Sequence, residues 1–281
     1  MTDSVARWQV VVGKVLGQTV VVVNKPGAAA TIGAAAVARA KPDGYTILIQ
    51  ASSSAVAVPH TMERLPYDAL KAFAPVSLVA RFPLAMVVNK DLPANNLKEF
   101  IALLKSHPNK YSYGHSGVGS QLELAGELFK KKTGTDMVGI PYPGTGAIVS
   151  DLLAGRVAMM FDGLPTQYER IKSGQVKLLA LTSSERSKAA PETPTLKELY
   201  PDFDMPYWLG AYAPAGTPKP IVDKIAAGIS KVMRMEAVRS RLDDMGSEAV
   251  GSTPEEFDKF WKDQYQLYGR IVKESATKAG G

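Results

Sequence analysis

The feature that most constrains the fold of this chain is an alternation. Short β-branched runs, bounded by Gly, Pro and Asn, take turns with amphipathic stretches of helical period. Residues 20–24, 45–50, 76–80, 85–89, 111–114, 138–140, 157–161 and 176–182 read as strands. Residues 3–16, 31–40, 97–104, 120–132, 147–154, 221–233, 237–245 and 254–274 read as helices. In the first of these, Asp3 or Ser4 can cap the helix, and Val5, Trp8, Val12, Val15 and Leu16 share one face before Gly17 stops it. Strands interleaved with helices predict an α/β fold with parallel sheets covered by helices.

Two proline-bearing stretches, residues 90–95 and 212–220 ("YAPAGTPKP"), set an inner block apart from two outer ones. The expected organisation is a discontinuous first domain, residues 1–92 and 214–281, with a second domain, residues 93–213, inserted into it. Two crossing strands would form the hinge. A chain of 281 residues is long enough for two modest cores. In such folds ligands sit beyond the C-terminal ends of strands, at helix N-termini facing the cleft.

Composition removes several function classes. Cysteine is absent, which excludes disulfides, thiolate metal sites and cysteine nucleophiles. No apolar run approaches the ~20 residues that cross a bilayer. The segment bracketed by Asp3 and Arg7 has no long apolar region and no small-residue cleavage site, so no signal peptide is read in this sequence. The net charge is +6, with Lys130–Lys132 as the dense basic run. No aromatic stripe accompanies that run, so it reads as a solvated helix face rather than a nucleic-acid contact. A mild positive field helps gather anions.

The richest motif is "YGHSGVGSQLELAGELF", residues 113–129: a strand, a Gly-Ser loop, then a helix starting at Ser120. Free amides at that helix N-terminus, with the Ser116 and Ser120 hydroxyls, suit an anion; the same pattern also suits a plain cap and turn. Enzyme patterns start here and fail. Gly114-His115-Ser116-Gly117 begins a nucleophile elbow, but Val118 takes the final glycine position. Gly117-Val118-Gly119 begins a dinucleotide pattern, and Leu122 breaks it. A second loop, Pro141-Tyr142-Pro143-Gly144-Thr145-Gly146, again joins a strand to a helix and reads as an anion-facing loop or a tight turn. A third, at Asp162-Gly163, can fix a charged group or cap the following helix. None of His60, His107 and His115 has a second ligand at metal-like spacing. His60 and His107 sit beside prolines in surface-like stretches; His115 lies inside the Gly-Ser loop.

In this order the loops resemble the Bug family, the substrate-binding receptors of tripartite tricarboxylate transporters. The matching pieces are "VVVNKPGAAATIGAAAVARAKPDGYTIL", "LPYD…FAPVSLVAR", "YGHSGVGSQLELAGELF", "IPYPGTGAIVSDLLAGRVAMMFD", "APAGTPKPIVDKI" and "GSTPEEFDKF", which cover nearly the whole chain. The resemblance implies a type II periplasmic-binding-protein fold, two α/β domains with a hinge. It implies periplasmic capture of a carboxylate between the domains and delivery to membrane permease subunits, with no catalysis, cofactor, metal or nucleic acid, by a monomer. Carried over residue by residue, the ligand-binding positions fall on Ser116, Gly117, Gly119 and Ser120, on Tyr142, Gly144 and Thr145, and on Asp162. His115, Ser52 and Ser53 are added to that set. The sequence departs from the family at His115, where serine or threonine is usual, at Pro143, where lysine is common, and at Glu123, where histidine is frequent. Family members also carry a strand and a "PFPPGG"-like loop ahead of the "TD" matched by Thr2-Asp3. The first strand of domain 1 is therefore expected to be missing, with a loss of stability and affinity. The competing readings are a sensing module relaying to a membrane sensor or regulator, and a hydrolase acting through Ser116. A regulator would need a DNA-binding helix-turn-helix, for which the chain has no room ahead of domain 1. The hydrolase would need a base that no histidine context marks.

Overall fold

The computed structural model describes residues 11–25, 27–203 and 205–276, with side chains to Lys273. It divides into two compact units. Unit 1 comprises the chain up to Arg81, Trp208–Asp243 and Glu248–Arg270; unit 2 comprises Phe82–Tyr207, Asp244–Ser247 and the chain from Ile271.

Unit 1 is built on a four-stranded sheet of β1 (Leu48–Ala51), β2 (Phe73–Phe82), β8 (Tyr207–Pro214) and β9 (Glu248–Ala249), in the order β1-β8-β2-β9. β1 runs antiparallel to β8, with Leu48 opposite Tyr212 and Ala51 opposite Leu209. β9 is antiparallel to the end of β2. Around this sheet lie α1 (Thr31–Ala38), α6 (Lys219–Met233), α7 (Glu236–Asp244) and α8 (Pro254–Ala276). α6 buries Val222, Ile225, Ala226, Ile229, Val232 and Met233, the stripe that a 3.6-residue repeat dictates. That stripe shares a core with Val76, Val79 and Ala80 of β2, Ala211 and Ala213 of β8, and Val12. A ring cluster of Trp208 and Tyr212 from β8 with Phe257 and Trp261 from α8 joins strand to helix at centroid distances of 4.9–6.5 Å.

Unit 2 holds a five-stranded sheet of β3 (Leu84–Asn89), β4 (Ser112–His115), β5 (Val138–Pro141), β6 (Met159–Gly163) and β7 (Val176–Leu181), in the order β5-β4-β6-β3-β7. β5, β4 and β6 are parallel neighbours. β3 is antiparallel to both β6 and β7. All six residues of β3 are buried, as a central strand requires. The helices are α2 (Leu97–Ser106), α3 (Gln121–Thr133), α4 (Thr145–Leu153) and α5 (Leu164–Lys172). Ile148, Val149 and Leu152 of α4 pack with Ala85, Val87 and Met160 of the sheet.

The fold is the expected two-unit α/β architecture, with several differences in detail. Neither sheet is all-parallel: unit 1 has the antiparallel pairs β1–β8 and β2–β9, and unit 2 is mixed, because alternation shows that helices cover a sheet but does not fix strand direction. The strand expected at residues 20–24 is not formed: residues 19–25 join no ladder. Val21 and Val23 are 74% and 68% exposed. β-branched residues favour a strand only where a neighbour supplies hydrogen bonds, and none of the described residues does so here. The first strand starts at Leu48 rather than residue 45, because the Asp43 carboxylate accepts the Tyr45 N–H and holds a turn. Ser52 follows directly on β1, and Ser53 opens a π-helical turn, Ser53–Ala57. The stretch placed in a linker at residues 212–220 begins inside β8, whose last residue is Pro214. The units change at Arg81 and at Tyr207, upstream of the two proline-bearing stretches. Pro83 interrupts the path between β2 and β3, so the buried β3 belongs with the second sheet. The helix expected at residues 3–16 is seen over residues 11–16, its earlier part lying outside the described residues.

Candidate ligand-binding site

Three loops leave the same edge of unit 2. β4 and β5 are parallel with His115 opposite Pro141, so the loops at residues 116–120 and 142–144 emerge side by side. β6 runs parallel to β4, with Gly114 opposite Met160, and delivers Asp162 at the same C-terminal edge. This is where a parallel α/β sheet presents groups to a ligand.

The first loop is shaped by its glycines. Gly117 and Gly119 have φ of +113° and +77°, which a side chain would strain. The Ser120 N–H donates to Gly117 O at 3.1 Å and closes the turn. Ser120 is the N-cap of α3; its hydroxyl accepts the Glu123 N–H at 3.3 Å and is buried. Ser116 is half-buried and its hydroxyl has no hydrogen-bond partner among the described residues. His115, 2% exposed, directs Nδ1 at Gly117 O (3.0 Å) and Nε2 at Glu123 Oε1 (3.8 Å). Neither nitrogen is committed to Ser116, so the loop holds no nucleophile–base pair of the kind hydrolysis needs.

The second loop leads into α4. Gly144 is the N-cap and offers no side-chain cap, and the first turn has no acidic residue. The Thr145 hydroxyl is half-buried without a hydrogen-bond partner among the described residues. The Tyr142 hydroxyl is committed elsewhere, donating to Asp151 Oδ2 at 2.6 Å. Asp151 also binds Arg156, and these two partners hold its carboxyl below the usual carboxylate range.

At the third loop the Asp162 carboxylate accepts from Gly163 N–H at 2.9 Å and Gln167 Nε2 at 2.6 Å. Burial pushes its pKa up, against the opposing effect of these hydrogen bonds and Arg170. Asp162, ahead of α5, thus ties Gly163 to the Gln167 side chain, while the N-cap position itself, Gly163, has no side-chain cap. Ser52 and Ser53 belong to unit 1, after β1; the Ser52 hydroxyl is buried and accepts the Trp208 N–H at 3.4 Å. His60 and His107 are engaged by backbone carbonyls of Tyr265 and Leu103.

The structure therefore brings His115, Ser116, Gly117, Gly119, Ser120, Tyr142, Gly144, Thr145 and Asp162 to one sheet edge, with Ser52 and Ser53 in the other unit. Sequence reasoning passed over the role of Glu123 inside the first loop. Its signal was present: Ser120 followed three residues later by Glu123 is the Ser-x-x-Glu capping pattern. Gln167, buried against Asp162, carried no comparable signal.

Comparison with known proteins fits this geometry. The family model described as tripartite tricarboxylate transporter family receptor matches residues 5–277. Protein BugT of Bordetella pertussis is 37% identical over 265 residues, covering 94% of this chain and 81% of that protein. The solved periplasmic binding protein BugD superposes with a TM-score of 0.92 at 34% identity, over 98% of this chain and 93% of its own. MatC from Rhodopseudomonas palustris, solved with bound malate, gives 0.87 at 31% identity over 97% and 94%. A match over nearly the whole chain, with two α/β units and three strand-end loops on one sheet, leaves one conclusion: this chain belongs to the family of tripartite tricarboxylate transporter receptors, the Bug proteins.

Proposed function

We propose that this chain is a periplasmic solute-binding protein that captures a small organic carboxylate and delivers it to the membrane permease of a tripartite transporter, without chemical turnover. The observation that carries the reading is the pair of open hydroxyls at adjacent strand ends. Ser116 and Thr145 leave neighbouring parallel strands, and neither is used by the fold. Thr145 starts a helix whose first amides lack a side-chain cap. Hydroxyls and free amides together suit a carboxylate. MatC, a relative of the same fold, is solved with malate, which supports the ligand class.

The test is calorimetry with a panel of mono-, di- and tricarboxylates on the wild type and on Ser116→Ala/Thr145→Val. A hydrogen bond to a charged group contributes about 1.5–3 kcal/mol, so losing two lowers affinity at least tenfold. A bound acid at 100 times its Kd raises stability by about 2.7 kcal/mol. An unchanged affinity in the double variant, or conversion of any panel acid seen by mass spectrometry, would refute the reading.

A further inference from the structure

Two of the three strand-end loops at this sheet edge already carry a carboxylate. Asp162 stands just ahead of α5, bonded to Gly163 and Gln167. At α3 the occupant is Glu123, fixed on several sides. Its Oε2 accepts the Gly119 N–H, its own N–H is held by the Ser120 hydroxyl, and its Oε1 faces His115 Nε2 at 3.8 Å. The His115 ring is anchored in turn. A carbonyl oxygen can only accept, so Nδ1 carries the proton donated to Gly117 O. Tyr113, buried beneath the loop, packs against the His115 ring at a centroid distance of 5.7 Å and binds Glu127 through its hydroxyl. The Glu123 side chain remains 21% exposed and can meet a bound molecule.

We propose that Glu123 sets the charge of the ligand: the Gly117–Ser120 loop rejects a carboxylate and takes a hydrogen-bond donor, so the preferred ligand is an organic acid with one carboxylate and an ammonium, amide or hydroxyl group at its other end. The inference rests on the receptor reading above and narrows its ligand class. An anion approaching this loop meets a fixed like charge in a half-buried setting, where repulsion is poorly screened. A donor finds an acceptor already oriented by the Gly119 N–H, with no reorganisation needed. The ligand's carboxylate is left to the neighbouring Ser116 and Thr145 hydroxyls, on the side where α4 begins with no resident acid.

The experiment uses matched sets of acids at four-, five- and six-carbon lengths: the dicarboxylate, its monoamide and the ω-amino acid. Each is titrated by calorimetry into the wild type and into Glu123→Gln, which keeps an acceptor for Gly119 and loses the charge. At one chain length or more, the wild type is expected to bind the monoamide or amino acid at least tenfold tighter than the dicarboxylate. Glu123→Gln is expected to shrink that ratio at least tenfold or reverse it. A cap with no ligand role would change the melting temperature and leave the ratio alone. Binding with the dicarboxylate tightest, or a ratio untouched by Glu123→Gln, overturns the proposal and leaves the receptor reading standing. If no acid binds either protein, both fall. The wild-type ranking decides against the proposal on its own should the variant fail to fold.

Discussion

Ala28, Ala29 and Ala30 lie side by side with φ of +46°, +51° and +70°. A left-handed conformation places Cβ against the following carbonyl and destabilises a non-glycine residue by roughly 1–2 kcal/mol. The turn is kept because it launches α1, with the Thr31 hydroxyl donating to Ala28 O at 2.8 Å. Glycine at position 29 removes the steric term but adds freedom to the unfolded chain, an opposing effect of about 0.4–1 kcal/mol. Ala29→Gly is therefore expected to stabilise the protein by about 0.5–1 kcal/mol, read as a higher urea midpoint at unchanged slope; a lower midpoint would show that the alanine methyl contributes packing that outweighs the strain. The sequence "PGAAATIG" gave no warning of this, since alanines read as helix and their backbone angles are imposed by the turn. At the candidate site the loop glycines, Ser116 and Thr145 were legible as strand-end residues before a helix. What was not legible is how each side chain is spent. Tyr142, Ser120 and Asp162 read as ligand-binding positions in sequence, and each also serves the fold: Tyr142 donates to Asp151, the Ser120 oxygen accepts the Glu123 N–H and Asp162 accepts from Gly163.

Elements were easier to read than their partners. α3 was recognisable from Ser120 and the stripe Leu122, Leu124, Ala125, Leu128 and Phe129, of which all but Leu128 are buried; Gly134, at φ +61°, ends it. What the stripe packs on was not. Gly126 faces β4 so closely that an added Cβ would fall inside the Tyr113 ring, itself fully buried and tied to Glu127 on the same helix. Helix and strand can therefore approach only through a glycine, and Gly126→Ala must displace either the ring or the helix. Overpacking of this kind costs about 1–3 kcal/mol, more than the ~1 kcal/mol gained from alanine's helix propensity. Gly126→Ala is expected to lower stability by about 1–2 kcal/mol and to weaken ligand binding, since the shift reaches His115 and Ser116; thermal melts and calorimetry on the same protein would check both. Conversely, the valines at residues 20–23 look like a strand in isolation and form none, because strand formation depends on a neighbour's hydrogen bonds as well as on side-chain preference. The strand over residues 207–214 was hidden by the prolines and glycines that surround it.

At the scale of the whole molecule the two units differ in chemistry as well as in fold. Unit 1 carries 17 lysines and arginines against 12 acidic residues, and unit 2 carries 16 against 15, so nearly all the net positive charge lies in unit 1. Both described tryptophans, Trp208 and Trp261, are buried in unit 1, while the three candidate loops lie in unit 2. Each unit has its own core, so emission should follow one unit and far-UV ellipticity both. Urea unfolding of the ligand-free protein is expected to give two curves that do not superimpose; coincident curves would mean that the units unfold as one. The strand pairings also bear on synthesis. All five strands of the unit 2 sheet lie between Leu84 and Leu181, whereas Leu48 of β1 waits for Tyr212 and Ala80 of β2 waits for Ala249. As the chain is made from its N-terminus, the sheet bearing the candidate loops can close while β1 and β2 are still without partners. The half of the protein that is translated first is thus the half that finishes last, and for that interval its exposed strand edges are the part of the nascent chain most in need of protection.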